Sequence, residues 1–229
     1  MLLAILGAVA FSGKAIIVKL AYRYGVDAVT LIMLRMLFAL PFFLVMSWWA
    51  SRPRGARQPV ALTRRDVAGI VGLGLTGYYL ASFLDFAGLA FITASLERLI
   101  LYLNPTLVLL LGWMLVGKRI ARRQALGMAI SYSGVLLVFG HEVRLDGSGV
   151  ALGALLVFLS AVSYAVYLFY SGEMVQRLGS MRLVGLATSV ACVLCMVQFA
   201  VLRPLASLSA VAAQVVWLSV LNATLCTVV

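Results

Sequence analysis

Long apolar runs, separated by short polar gaps, limit what this chain can fold into. Of its 229 residues, 64% are hydrophobic and only 11% are charged. A water-soluble fold would have to tile its surface with Leu, Val and Ala, and would aggregate. The solvent for most of the chain is therefore lipid. The runs are apolar all round and do not alternate, so they read as helices, not barrel strands. A bilayer core of about 30 Å takes roughly 20 helical residues. Runs of about that length fall at Leu2–Tyr22, Ala28–Ala50, Val67–Ala87, Ser95–Val116, Arg123–Phe139, Gly149–Tyr170 and Val184–Leu202. Part of an eighth covers Val215–Val229. The expected class is an all-α polytopic membrane protein with about seven or eight spans.

The first run has no basic leader, carries Lys14 and Lys19, and lacks a small-residue exit. It reads as a retained helix, not a cleaved signal. The gap after the second run holds Arg52, Arg54, Arg57, Arg64 and Arg65, and the gap after the fourth holds Lys118, Arg119, Arg122 and Arg123. The gap after the fifth has Glu142, Arg144 and Asp146. Basic loops stay in the cytoplasm, so the N-terminus is expected there, in a multi-pass protein of the inner cell membrane. Trp48 and Trp49 fall where an aromatic belt belongs. The net charge of +11 then faces anionic headgroups, and nucleic acid is not an expected partner.

A weak internal repeat follows. Leu6-Gly7-Ala8 is echoed by Leu152-Gly153-Ala154, Phe11-Ser12 by Val162-Ser163, and the Gly25 exit by Gly179. With five runs per unit, an odd number, the second copy enters the membrane upside down. In Tyr79–Val116, Ala94-Ser95-Leu96-Glu97-Arg98 and then Asn104-Pro105-Thr106 resemble the fourth helix of the EamA-type branch of the drug/metabolite transporter superfamily. Arg123–Val138, with Gly127 and Gly134, resembles its fifth. The resemblance implies ten helices in two inverted five-helix units around a central cavity, and export of metabolites. Residues 1–140 would form the first unit and residues 149–229 an incomplete second one. Lys118 stands where the family usually carries an acid, so that position is assigned no role. The short second unit leaves two expectations: a transporter, or a truncated non-transporting subunit or fragment that needs a partner membrane chain.

A charge in hydrocarbon costs about 2.5–3.5 kcal/mol on insertion scales, so it is paired or faces water. Lys14, Arg35, Asp85, Glu97 and Arg98 all fall in the outer half of their runs. Asp85 and Glu97 are expected to neutralise Lys14 and Arg35, and either acid to carry a coupling proton; separate snorkelling of each residue is the alternative. Glu97 and Asn104, seven apart, share a helix face beside Tyr102 and Pro105. Pro105 cannot donate to the Leu101 carbonyl, so the helix is expected to kink or break there. Lys14, Tyr102, Asn104 and Tyr164 are the candidate substrate-lining residues. Tyr167 and Tyr170, on the Tyr164 stripe, read as belt residues.

Other motifs are bland. Gly72-Leu73-Gly74-Leu75-Thr76-Gly77 matches a dinucleotide pattern but follows no strand. Its glycines, with Gly69 and Ala81, read as small packing surfaces. Cys192 and Cys195 lie inside one run and read as packing. His141 is the sole histidine, which argues against a His-based metal site or enzyme base. No cofactor and no enzymatic activity are expected. The expected function is secondary transport of a small metabolite or amino-acid-like solute by alternating access. A homo-oligomer or a partner chain remains open.

Overall fold

The computed structural model describes residues 13–53, 60–117, 121–139 and 149–225. The opening matches at Leu6–Ser12 lie outside them, as do Arg54, Arg57, Lys118, Arg119, His141 and the acidic gap at Glu142–Asp146. The described residues form α1 (13–22), α2 (Ala28–Ala50), α3 (Arg64–Leu73), a π-helical stretch (Gly74–Leu80), α4 (Ala81–Leu89), α5 (Ala94–Leu101) and α6 (Asn104–Val116). They continue through α7 (Arg122–Phe139), α8 (Val150–Leu178), α9 (Ser180–Leu202), a 3₁₀ turn (Leu205–Ala210) and α10 (Ala213–Ala223). Among the described residues, five helical stretches are long and apolar enough to cross a membrane: Ala28–Ala50, Arg64–Leu89, Ala94–Val116, Val150–Leu178 and Ser180–Leu202.

Local chemistry sets the ends. Asp27 caps α2, its Oδ2 accepting from the Val29 and Thr30 amides at 3.1 and 3.4 Å. Thr63 and Asp66 form a reciprocal capping box, so α3 starts a turn before the apolar run. Gly25 (φ +76°) and Gly179 (φ +83°) reverse the chain ahead of α2 and α9 in a conformation that other residues adopt at a cost. α8 runs about two turns past Tyr170, because Glu173 and Arg177 stay helical beyond the apolar core.

Partial burial alone raises the Asp27 carboxyl, but bonds from the Thr30 hydroxyl and amide, with Arg203 beside it, hold it below the usual carboxylate value. Its folded value is depressed, so its contribution is present above the ordinary carboxylate range and is lost as the pH falls through the folded value. Asp27→Ala is expected to cost about 1 kcal/mol at neutral pH. The loss should shrink in acid, as thermal unfolding of the detergent-solubilised protein at two pH values would show.

The helices pack through small residues, as lipid-facing helices must when no hydrophobic drive joins them. α2 lies along α9, where a Cβ added to Gly185 would meet Ser47 Cβ at 2.9 Å and Ser47 N at 3.0 Å. α4 crosses α8 at Gly88 and Gly153, where a Cβ on Gly88 would come within 2.8 Å of the Gly153 carbonyl oxygen. Gly69 and Gly77 are similarly close to Met174 and Tyr167. Gly72 differs: a Cβ there would meet nothing within 4 Å, because it borders a cleft. The main core joins α1, α2, α4 and α9 through Val18, Ile32, Met36, Phe86 and Leu89. Cys192 lies in it, with its Sγ 3.7 Å from Met36 Sδ.

Two inter-helix ion pairs mark opposite ends of the bundle. At one end Arg177 meets Asp66 at 3.0 Å, and Arg182 donates to the Val60 carbonyl at 2.7 Å. Arg52, just after α2, stacks on Trp48 in the last turn of that helix. This is the basic end. At the far end Arg203, after α9, meets Asp27 at 3.3 Å.

Candidate functional site

Three polar layers stand out in the bundle, the third of them at the basic end. The first is a charge cluster toward the far end. Lys14 Nζ, on α1, is 2.6 Å from Asp85 Oδ2 on α4 and 3.6 Å from Glu97 Oε1 on α5. Arg98 Nε lies 3.2 Å from Glu97 Oε2. Lys14, Asp85 and Glu97 are 7%, 2% and 0% exposed, too little for separate snorkelling. Arg35, on α2, is also buried; it donates to Ser82 Oγ at 2.9 Å and sits 4.7 Å over the Phe86 ring. Both residues are on α4, within a turn of Asp85. The structure thus brings Lys14, Asp85 and Glu97 together and sets Arg35 of α2 against α4, a turn or less from Asp85.

The second layer surrounds the π-helical stretch of the third span. The Tyr78 and Tyr167 hydroxyls are 3.0 Å apart, and the Tyr167 ring stacks on Tyr164 with centroids 5.5 Å apart. Ser163 Oγ donates to the Thr76 carbonyl and Ser160 Oγ to the Ala81 carbonyl, both at 2.7 Å. α8 therefore ties down both ends of an irregular helix. π-helical turns are rare and concentrate at functional sites. Tyr164 belongs to this layer, not to the charge cluster. Tyr167, expected at a membrane boundary, is buried within it. Tyr78 had no distinguishing signal, being one of two adjacent tyrosines in an apolar run.

The fourth span is discontinuous: α5 ends at Leu101, Tyr102 and Leu103 form a turn, and α6 begins at Asn104. Pro105 occupies the first turn of α6, where its missing N–H costs nothing. The turn interrupts the face that Glu97 and Asn104 would share in a continuous helix. Glu97 joins the charge cluster, while the Asn104 Oδ1 is buried without a hydrogen-bond partner. Tyr102 is 52% exposed. Tyr132 from α7 covers the break, pairing with the Thr106 hydroxyl and donating to the Tyr102 carbonyl at 3.4 Å.

The third layer is a cleft of about 670 Å³ between α3 and α8 at the basic end, with Arg65, Asp66, Thr76, Tyr170, Glu173 and Arg177 on its walls. Among the described residues, no group of three or more His, Cys, Asp or Glu side chains is placed to hold a metal.

The model of the EamA-like transporter family matches residues 1–140, more than half the chain. This chain belongs to the EamA-like transporter family. It is 30% identical over 186 residues to YcbK, an uncharacterized transporter of Bacillus subtilis (strain 168), covering 78% of this chain and 56% of that protein. It is 28% identical over 106 residues to YyaM, another uncharacterized transporter of the same strain, covering 45% of this chain and 35% of the relative. The chain thus spans about half the length of the first relative and about a third of the second. A crystal structure of a protein 17% identical superimposes with a TM-score of 0.60, over 96% of this chain and 74% of that one, a likeness of fold alone. The EamA-like chain thus belongs with multi-pass membrane proteins, and its described residues are helical with five stretches long and apolar enough to cross a membrane. Its family and its relatives are described as transporters.

Proposed function

We propose that this EamA-like chain moves a small metabolite or amino-acid-like solute out of the cell by alternating access of two inverted units, residues 1–140 and 149–229. The observation that carries the reading is the Lys14–Asp85–Glu97 cluster, buried inside a transporter-family bundle. Ionisable groups at that depth are expensive to keep and mark ion or substrate pathways. Either acid is suited to carry a coupling proton, because Lys14 lies between two carboxylates only 2.6 and 3.6 Å away. Lys14, Tyr102, Asn104 and Tyr164 remain the proposed substrate-lining residues.

The packing supports the inverted plan. α2 and α9, which hold equivalent places in the two units, pack on each other. α10 packs on α2, and its counterpart, the third span, packs on α9. The turns at Gly25 and Gly179 also correspond. The basic end, with Trp48 and Trp49 exposed beside Arg52, reads as cytoplasmic.

The test uses the purified full chain in proteoliposomes, offered labelled amino acids and small carboxylates across an imposed pH gradient. Uptake above empty liposomes is expected, and it should lose its pH dependence in Asp85→Asn/Glu97→Gln. If no solute moves, the transport reading falls; an unchanged pH profile in the double variant removes these acids from coupling.

A further inference from the structure

The cleft between α3 and α8 carries a more specific reading. Its volume of about 670 Å³ suits a small metabolite. It lies at the basic end and reaches Thr76, the residue whose carbonyl Ser163 holds in the π-helical stretch. Gly72 leaves one wall open. Leu73, Val166 and Met174 give it an apolar side, and Arg65, Glu173 and Arg177 a charged one.

The partners of Arg177 are the decisive detail. Its guanidinium lies 3.0 Å from Asp66 Oδ2. That same oxygen already accepts from the Thr63 amide and the Thr63 hydroxyl, both at 2.8 Å. Asp66 is thus satisfied by its own helix cap and stays so if Arg177 leaves. Arg177, by contrast, is 47% exposed at the cleft, while the Asp66 carboxylate is 7% exposed and held by Thr63, so Arg177 is the partner able to turn to another carboxylate. Arginine also suits this exchange, since its planar fork matches a carboxylate with two parallel bonds.

We propose that this cleft is a solute-binding site for small molecules that join a carboxylate to an apolar group, with Arg177 as the anchor that trades Asp66 for the solute carboxylate. The apolar group lies along Leu73, Val166 and Met174. Glu173, at the same mouth, favours solutes that also carry an ammonium group. The proposal rests on the transport reading and names the solute class for it. A lipid phosphate is the competing source of negative charge at this end.

The test is binding to the detergent-purified full chain, measured as ligand-dependent thermal stabilisation and by calorimetry. The probes are leucine, 4-methylpentanoate and leucinamide, which share the apolar group and differ in charge. The two carboxylates should bind at least about tenfold more tightly than the amide, the value of one charge-assisted hydrogen bond. Arg177→Gln should abolish that preference, and Arg177→Lys should keep part of it. Arg182→Gln removes a neighbouring cation outside the cleft and should leave the preference intact. The proposal is overturned if no probe binds, if carboxylate and amide bind alike, or if Arg182→Gln has the same effect as Arg177→Gln. It is also overturned if Arg177→Gln only reduces co-purified phosphatidylglycerol. Binding is read without flux, so intact binding with no liposome uptake would fault the transport reading and spare this site.

Discussion

Lys14→Met is expected to destabilise the protein by about 3–5 kcal/mol, the usual cost of removing one partner from a buried ion pair. The substitution keeps most of the side-chain volume, so packing alone predicts a small effect. The large term is electrostatic. Asp85, 2% exposed, loses the ammonium 2.6 Å away, and Glu97, fully buried, keeps Arg98 but loses Lys14. The diagnostic variant is Lys14→Met/Asp85→Asn. It removes the stranded charge along with its partner, and should recover much of the loss even though it carries one more substitution. Thermal unfolding in a mild detergent decides. A double variant as unstable as the single one would mean that Lys14 contributes through shape, not charge.

The second large effect is expected at Gly185. In Gly185→Val the new side chain meets Ser47 Cβ and backbone N within 3.0 Å, and the Phe43 carbonyl oxygen at 3.1 Å. Backbone atoms cannot rotate aside, so α2 and α9 must separate along their shared face. Overpacking of this kind costs about 1–3 kcal/mol. Gly172→Ala, on α8, is the contrast. Nothing lies within 4 Å of its added Cβ, and a mid-helix Gly to Ala change gains about 0.5–1 kcal/mol. The two variants should shift the unfolding temperature in opposite directions. A shift of the same sign would show that helix propensity, not the α2–α9 contact, governs both.

Much of the fold was legible because hydrocarbon tolerates so few sequences. The second run, Ala28–Ala50, coincides with α2 to the residue, since Asp27 and Ser51 bound it chemically. The third apolar run starts at Val67 but its helix starts at Arg64, because Arg64, Arg65 and Asp66 are loop-like residues that the Thr63 cap draws into the first turn. The proximity of Lys14 to Asp85 and Glu97 was legible for an energetic reason: a deep charge must find its opposite. Arg35 is expected near the same acids, and its contacts include a hydroxyl and an aromatic face on the helix that carries Asp85. Sequence does not rank such partners for a guanidinium. The break at Pro105 was legible from backbone chemistry, whereas Tyr132, its cover, lies on another helix with no sequence mark. Least legible was the Arg177–Asp66 pair. At a basic membrane end, every arginine resembles one that only greets headgroups.

The distance in sequence between Lys14 and Asp85, 71 residues, has a consequence for how the protein is made. Helices enter the bilayer in order of synthesis, N-terminal first. When α1 arrives, its counter-charge has not yet been translated. An unpaired lysine at that depth costs about 2.5–3.5 kcal/mol, so α1 is a poor lodger in lipid until the third span reaches it. During biogenesis the first helix must therefore stay beside the insertion machinery, or sit shallow, and settle to its final depth only once Asp85 has come in beside it.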